Sequence, residues 1–586
     1  MKQYLNEVWY LVGSDKRKLP VILMMFLLQT QLELLGIGLI APYISLVIDF
    51  ENTVESLRFL IDFFGFSSSR IDLLVYMGCL LIVIFCLKMI VGYFVNLKII
   101  NFVQDKRVDL CQKLMNRYQS LPYTEYTSRN SSEYIHRITT LSYSYANEVL
   151  APLMKLLSDG VAALAIVMLL AFYNLYALLL LLSLIITIMG CYDLATKRLA
   201  KENGILRNRY ATSMLQHINE GIAGLKEIRI LGKEEYFYEK VLRSAREFAI
   251  TAKTAQLLPV LPKYLLELVL IVFVVTLVIS GTVMENGSTF LISTLGVFGV
   301  ASMRLLPIAN LASSALVSIR YARNSVSLLF GDCQDGKIYY DSSLESKIDK
   351  LEPFSKLSLS DIHYKYPGSN ALSLKAVNFD VHVGEAIGII GHSGSGKTTL
   401  IDLILGLVPP LSGHLRVNSV DLLKDFALKN WRNQIAYLPQ QVFLTDATLR
   451  QNVALGINDD EIDDEKVWAS LRQASLAKVV NMLPDGIDTK MGERGVRLSG
   501  GQAQRVALAR AFYHGRSILV MDESTSSLDN ETEKEIIQEI HNLKGKVTML
   551  VIAHRLTTLQ HCDRIYELCD GEIINSGTYA EVVKGK

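Results

Sequence analysis

Over roughly the first 320 positions the apolar residues lie in long, nearly unbroken stretches, and from about Lys337 onward they break into short runs. Six stretches, near 19–46, 73–96, 150–172, 175–195, 256–281 and 289–317, approach or exceed the roughly 20 residues that carry a helix across a bilayer. The later runs, such as Ala386–Ile390 and Ile518–Met521, are β-rich and alternate with glycine-containing turns and helical periodicity. The pattern predicts a multi-domain chain: an all-α six-helix transmembrane domain over 1–330, a linker over 331–355 and an α/β domain over 356–586. Met1–Lys18 is polar around Trp9-Tyr10-Leu11, lacks a small-residue cleavage site and precedes a span too long for a signal peptide. It is expected to be a cytoplasmic lead-in helix.

Charge orients the spans. Residues 97–149 carry Lys98, Lys106, Arg107, Lys113, Arg117, Arg129 and Arg137, and residues 196–255 carry Lys197, Arg198, Lys201, Arg207, Arg209, Lys226 and Arg229. The turns at 173–175 and 281–288 have neither Lys nor Arg, so the positive-inside bias places both termini and both long loops in the cytoplasm. Between the first two spans, residues 52–66 space Leu57, Leu60, Ile61 and Phe64 as a helix does, with Glu55, Arg58 and Asp62 on another face. This predicts an amphipathic helix at the outer membrane surface, or equally a loop helix packed on the spans.

Composition narrows the class. Half the residues are hydrophobic, 20% are charged and the mean hydropathy is +0.28, which excludes a disordered chain. Lys+Arg 59 against Asp+Glu 58 gives no global electrostatic reason to bind nucleic acid. The seven cysteines are scattered, with no CxxC pair and no histidine cluster beside them, so neither a disulfide framework nor a zinc site is indicated.

The chemistry is concentrated in the α/β part. Gly391-His392-Ser393-Gly394-Ser395-Gly396-Lys397-Thr398 fits GxxxxGK[ST], with Thr399 following, and it succeeds the apolar run Ala386–Ile390. Glycines let backbone N–H groups turn inward around phosphate oxygens, Lys397 supplies charge at the β/γ-phosphates, and the Thr398 hydroxyl can ligate Mg²⁺. The apolar strand Ser517–Met521 ends in Asp522-Glu523. Asp522 suits the Mg²⁺ shell and Glu523 is placed to polarise an attacking water.

Leu498-Ser499-Gly500-Gly501-Gln502, lying between these two motifs, resembles the signature of ATP-binding cassette (ABC) proteins. The resemblance implies roles for further residues that match in order. Tyr366 resembles the aromatic that stacks on adenine, and Gln440 the glutamine that touches Mg²⁺ and the transmembrane domain. Ser526-Ser527-Leu528-Asp529 resembles the D-loop, and His554 the switch histidine on the γ-phosphate. Cassettes of this family act head to tail, and this chain has one P-loop and one signature, so the resemblance implies a second cassette. Intact Glu523 and His554 make a homodimer the simpler expectation.

Six spans before one cassette resemble the ABC exporter half-transporters over essentially the whole chain, which implies ATP-driven export or flipping from a bacterial inner membrane. The stretch 224–235 resembles the second-loop coupling helix of such exporters, while an ordinary amphipathic helix remains the alternative. Lys88, Lys263 and Arg304 lie inside spans, roughly 22–27 Å below their outer ends at about 1.5 Å per residue. Intramembrane charges default to function, so these three are expected to form a basic belt for a phosphate or pyrophosphate head group. A structural reading competes: Lys263 and Glu267 are spaced i,i+4 and could neutralise each other, and Lys88 could snorkel. Residues 301–310, with the external helix, resemble the PglK-type flippases for lipid-linked oligosaccharides, although two belt positions are lysine where arginine is expected. The resulting expectation is a homodimeric flippase for a polyprenyl-pyrophosphate-linked oligosaccharide or similar anionic glycolipid. A multidrug or lipid A exporter and a non-transporting, membrane-anchored ABC ATPase are the alternatives.

Overall fold

The computed structural model describes residues 2–48, 70–283, 288–334, 352–423, 425–492, 498–522, 538, 544–552 and 559–584. The expected external helix at 52–66 lies outside them. The chain divides into two compact units, Met1–Ser120 with Arg129–Ile338, and Leu121–Ser128 with Tyr339–Lys586.

In the first unit, α1 (Lys2–Val12) is the expected lead-in helix and buries Tyr4, Val8, Leu11 and Val12. There follow α2 (Leu19–Ile48), α3 (Arg70–Gln119), α4 (Ala151–Tyr173), α5 (Leu175–Ala223), α6 (Leu225–Leu231), α7 (Glu234–Leu257), α8 (Leu261–Val283), α9 (Ser288–Tyr321) and α10 (Arg323–Gln334). Six helical segments among the described residues are long and apolar enough to cross a membrane. The two long loops prove to be largely helical. Helix α3 has 50 residues and α5 has 49, about 75 Å each at 1.5 Å per residue, well over twice a hydrocarbon core of about 30 Å. Beyond their apolar parts these helices are held by polar contacts that water-exposed helices need. Arg207 grips Glu148 with two hydrogen bonds of 2.7 Å, and Asp332 accepts from Arg137 at 2.6 Å and from the Tyr118 hydroxyl. Helices α5 and α9 touch at Gly204, where any Cβ would run into the Tyr321 carbonyl, so only glycine permits that approach.

Near the apolar ends of the spans, Leu170, Leu178, Leu181, Val269, Phe273 and Phe298 form a fully buried cluster. By contrast Val21, Met24, Ile82 and Ile271 are exposed on the unit's exterior, the distribution expected of helices whose outer face meets lipid rather than water.

The second unit is built on two sheets. The smaller is antiparallel, in the order β2 (Leu374–His382), β1 (Lys356–Tyr364), β4 (Ser412–Val417) and β5 (Val420–Asp421). The larger has six strands in the order β10 (Glu572–Gly577), β9 (Arg564–Cys569), β3 (Ala386–Ile390), β8 (Thr548–Ile552), β7 (Ile518–Asp522) and β6 (Ile435–Leu438). All neighbours except β10 and β9 run parallel. Strands β3, β7 and β8 are buried on both faces, which is why they read in sequence as continuous apolar runs instead of alternating ones.

Candidate nucleotide site and membrane polar cluster

Strand β3 delivers the chain to the P-loop, and helix α11 (Lys397–Ile404) leaves it. Gly396 caps this helix with φ +106° and packs so closely on the Ser373 carbonyl that a Cβ would sit 2.8 Å from it. A side chain there would meet both backbone strain and a clash. Lys397 is buried, and its ammonium donates to the carbonyls of Gly391 and His392 at 2.9 and 3.0 Å. The Ser395 hydroxyl is buried with no hydrogen-bond partner among the described residues. A lysine held by loop carbonyls, a hydroxyl without a partner among the described residues and a helix N-terminus together fit a phosphate group.

Asp522 stands where the sequence places it, at the end of β7. Tyr437 donates to Asp522 at 3.3 Å. Asp402, four residues beyond Thr398 on α11, has its pKa pushed up to about 6, first by burial and then by the charge of Asp522. A carboxylate whose proton affinity is raised by a second carboxylate close by fits a divalent cation. Asp402 is a residue that motif reading missed; its signal was the i,i+4 spacing from Thr398 on one helix face. Tyr366 is partly exposed, with its hydroxyl 3.2 Å from that of Thr399 and its ring edge-on to Tyr364. Tyr123, from the short helix Tyr123–Thr127 that groups with this unit, belongs to the same cluster. Burial and then Asp402 and Tyr366 raise its phenol pKa.

The signature segment begins helix α12 (Gly500–Tyr513). Ser499 is its N-cap, accepting from the Gln502 N–H at 3.3 Å while the Gln502 side chain accepts from the Ser499 N–H at 3.0 Å. This reciprocal capping box presents the Gly500-Gly501 amides at a helix N-terminus, a favourable place for an anion. Glu523, Asp529 and His554 lie outside the described residues.

In the membrane unit the three belt residues part company. Lys88 and Arg304 converge on one carboxylate, Glu33 of α2, at 3.1 and 3.2 Å. Glu33 is 8% exposed, Lys88 also lies 5.6 Å from the Phe85 ring, and Asp159 of α4 interacts electrostatically with Glu33. Lys263 is exposed, with its ammonium 6.0 Å from the Tyr264 ring. No ion pair joins it to Glu267 among the described residues. Gln29 Oε1, Ser302 Oγ and Asn310 Oδ1 are buried without hydrogen-bond partners among the described residues. Glu33 was absent from the sequence reading because it stands alone between apolar neighbours in the first span. Its i+4 relation to Gln29 was the available signal.

The sequence model for ABC transporters matches residues 374–526. With this cassette on an α/β unit and six helices fit to span a membrane, the chain is a multi-pass ABC-type ATPase coupled to transport, and it binds ATP. It is 28% identical over 537 residues to an ATP-dependent lipid A-core flippase of Shewanella frigidimarina, covering 89% of this chain and 85% of that one. To the protein of the same name from Burkholderia pseudomallei it is 43% identical over 231 residues, 39% of this chain and 38% of that one. Among solved structures, a bacterial Atm1-family ABC exporter with ATP bound superposes with a TM-score of 0.78 over 98% of this chain and 97% of that chain, at 19% identity. The fold is therefore that of an ABC exporter half-transporter.

Proposed function

We propose that the protein is a homodimeric inner-membrane flippase that uses ATP hydrolysis to carry a phosphorylated glycolipid from the cytoplasmic to the outer leaflet. The observation that carries this reading is the convergence of Lys88 and Arg304 on Glu33. Two cations that share one buried carboxylate, Lys88 partly buried and Arg304 exposed, keep positive charge available for an anionic head group. Lys263 extends the basic surface as an exposed third cation. Relatives named lipid A-core flippases, which align along most of the chain, favour a lipid A-type substrate. The polyprenyl-pyrophosphate oligosaccharide rests on residues 301–310 and is the second reading.

At the nucleotide site Lys397 and the P-loop amides would hold the phosphates, and Thr398, Gln440 and Asp522 would hold Mg²⁺, which would supply positive charge for phosphoryl transfer. By the ABC resemblance, Glu523 would orient water, His554 would act as the switch histidine on the γ-phosphate and Asp529 would belong to the D-loop. Ser499 to Gln502 close on the nucleotide of the second copy. Helix α6, on which Ile230 and Leu231 are exposed, would serve with the following turn as the coupling helix. Mixed dimers of Lys397→Ala with Ser499→Arg protomers then recover turnover at one composite site. If they are as inactive as the parents, the head-to-tail dimer fails.

The substrate is tested in proteoliposomes by ATPase stimulation and leaflet-specific lipid labelling, comparing lipid A-core, a polyprenyl-pyrophosphate oligosaccharide and a hydrophobic cation. Stimulation and transfer with a phosphorylated glycolipid alone support the reading. Stimulation by the cation alone makes the protein a drug exporter, and transfer of none of the three supports a non-transporting ATPase.

A further inference from the structure

The hairpin joining β9 and β10 turns at Asp570-Gly571, with φ +45° and +84° at the two residues. Both being positive defines the tight turn that suits twisted antiparallel strands, and Asp-Gly is a favoured pair for it. This turn lies against the P-loop. Gly571 N–H donates to the Ser395 carbonyl at 3.0 Å and Lys375 N–H to the Gly571 carbonyl at 2.8 Å. The turn thereby sets Cys569 and Asp570 beside His392, the second residue of the P-loop motif, although 177 positions separate His392 from Cys569.

The donor geometry is specific. His392 Nε2 is 3.6 Å from Cys569 Sγ and 3.6 Å from an Asp570 carboxylate oxygen, and all three ligand atoms lie within 4.8 Å of one another. Tetrahedral zinc, with Zn–N of about 2.0–2.1 Å, Zn–S of about 2.3 Å and Zn–O of about 2.0–2.2 Å, separates neighbouring donors by roughly 3.3–3.6 Å. The opposite ring nitrogen, Nδ1, is 2.8 Å from the Ser393 carbonyl. A proton on Nδ1 donated to that carbonyl leaves the Nε2 lone pair facing the thiol and carboxylate, the outer-shell arrangement that orients a metal-binding imidazole. Cys569 is a free thiol and His392 is more than half exposed, so an ion reaches the site from solvent and one coordination position stays open to water.

We propose that His392, Cys569 and Asp570 form an inhibitory site for a zinc-type divalent cation that clamps the β9–β10 turn onto the P-loop. Binding releases the Cys569 thiol proton to solvent and forms sulfur–metal, nitrogen–metal and oxygen–metal bonds, with no redox change. Because His392 is part of the loop whose carbonyls hold Lys397, fixing His392 resists the rearrangement that lets Lys397 meet phosphate. Zinc, with its preference for mixed N, S and O donors, fits better than Mg²⁺, which takes oxygen ligands.

The test uses the full-length protein in detergent, titrated with Co²⁺ as a spectroscopic stand-in for zinc in the absence of nucleotide. The expected result is one Co²⁺ per protomer with a thiolate-to-cobalt charge-transfer band that Zn²⁺ abolishes and that Cys569→Ser lacks. Asp570→Asn weakens the binding about 10-fold or more, by loss of a ligand. In parallel, ATPase is measured with free Zn²⁺ held by a metal buffer. Wild type is inhibited, whereas Cys569→Ser and Asp570→Asn keep their basal turnover and lose the inhibition. Absence of the band, or a band of undiminished size in Cys569→Ser, overturns the site. Equal zinc inhibition in wild type and Cys569→Ser overturns the clamp. Basal turnover in both variants shows that each is folded.

Discussion

The two units hold their polar groups by different means. In the nucleotide-binding unit the backbone does most of the holding. Loop carbonyls take the Lys397 ammonium, a capping box fixes Ser499, and strand β7 ends at Asp522. In the membrane unit the holding is done by side chains from distant helices, as when Lys88 and Arg304 meet at Glu33. A backbone-built site depends on a short contiguous sequence and works on a constant substrate, ATP. One built by side chains across helices can be retuned one residue at a time, which suits the part of a transporter that selects cargo.

The largest expected effect falls on the backbone-built side. Lys397→Ala or Glu523→Gln should lower ATP turnover by about 10²–10³-fold or more, since each removes charge stabilisation or water positioning made in the transition state. Melting temperature should stay close to wild type and Glu523→Gln should still bind ATP. A variant that keeps substantial turnover would break the assignment of that residue. Steady-state ATPase and nucleotide-binding titrations read both.

Next comes the membrane cluster. The double variant Lys88→Gln/Arg304→Gln leaves Glu33 buried without a cation, and stranding a buried charge costs about 3–5 kcal/mol. Adding Glu33→Gln to that pair should recover most of the lost stability. Thermal unfolding in detergent decides it: if the double variant melts where wild type does, the cluster is not coupled and the contrast between the units fails.

A smaller effect is expected of Glu33→Gln alone, which releases both cations from their shared counter-ion. Half-maximal ATPase stimulation by a phosphorylated glycolipid should then occur at a few-fold lower concentration, with basal ATPase unchanged. A weaker response would assign Glu33 to the substrate itself.

The smallest concerns Asp402, whose native pKa of about 6 exceeds the ordinary 3.8 because burial and Asp522 disfavour its charge. An acid with a raised native pKa binds its proton more tightly folded than unfolded, so its cost to stability appears as pH rises from about 4 through about 6. Asp402→Asn should therefore stabilise the Mg²⁺-free protein at pH 7 by roughly 1 kcal/mol after solvent screening, and by nothing at pH 4. Thermal melts at the two pH values test this, and an equal shift at both would point to packing instead of charge.

Much of the architecture was legible without coordinates. A bilayer-length apolar run has few folded alternatives, so the spans at 19–46, 73–96 and 175–195 were readable from hydropathy, and the later match to an exporter fold agrees with them. The lengths of α3 and α5 were less legible, because their C-terminal halves carry charges and read as loops. Their helicity depends on neighbours such as the Arg207–Glu148 pair.

The P-loop and signature motifs could be read directly along the chain, because each is a contiguous segment whose geometry is set by local backbone bonds and caps. The sequence by itself also determined which stretches can lie in lipid. Tertiary structure alone decided that Glu33 balances Lys88 and Arg304, that Asp402 feels Asp522, and that His392 faces Cys569 and Asp570. Those relations join residues on separate helices and strands. Electrostatic and coordinate bonds act through space over a few ångströms, so no spacing along the chain announces them.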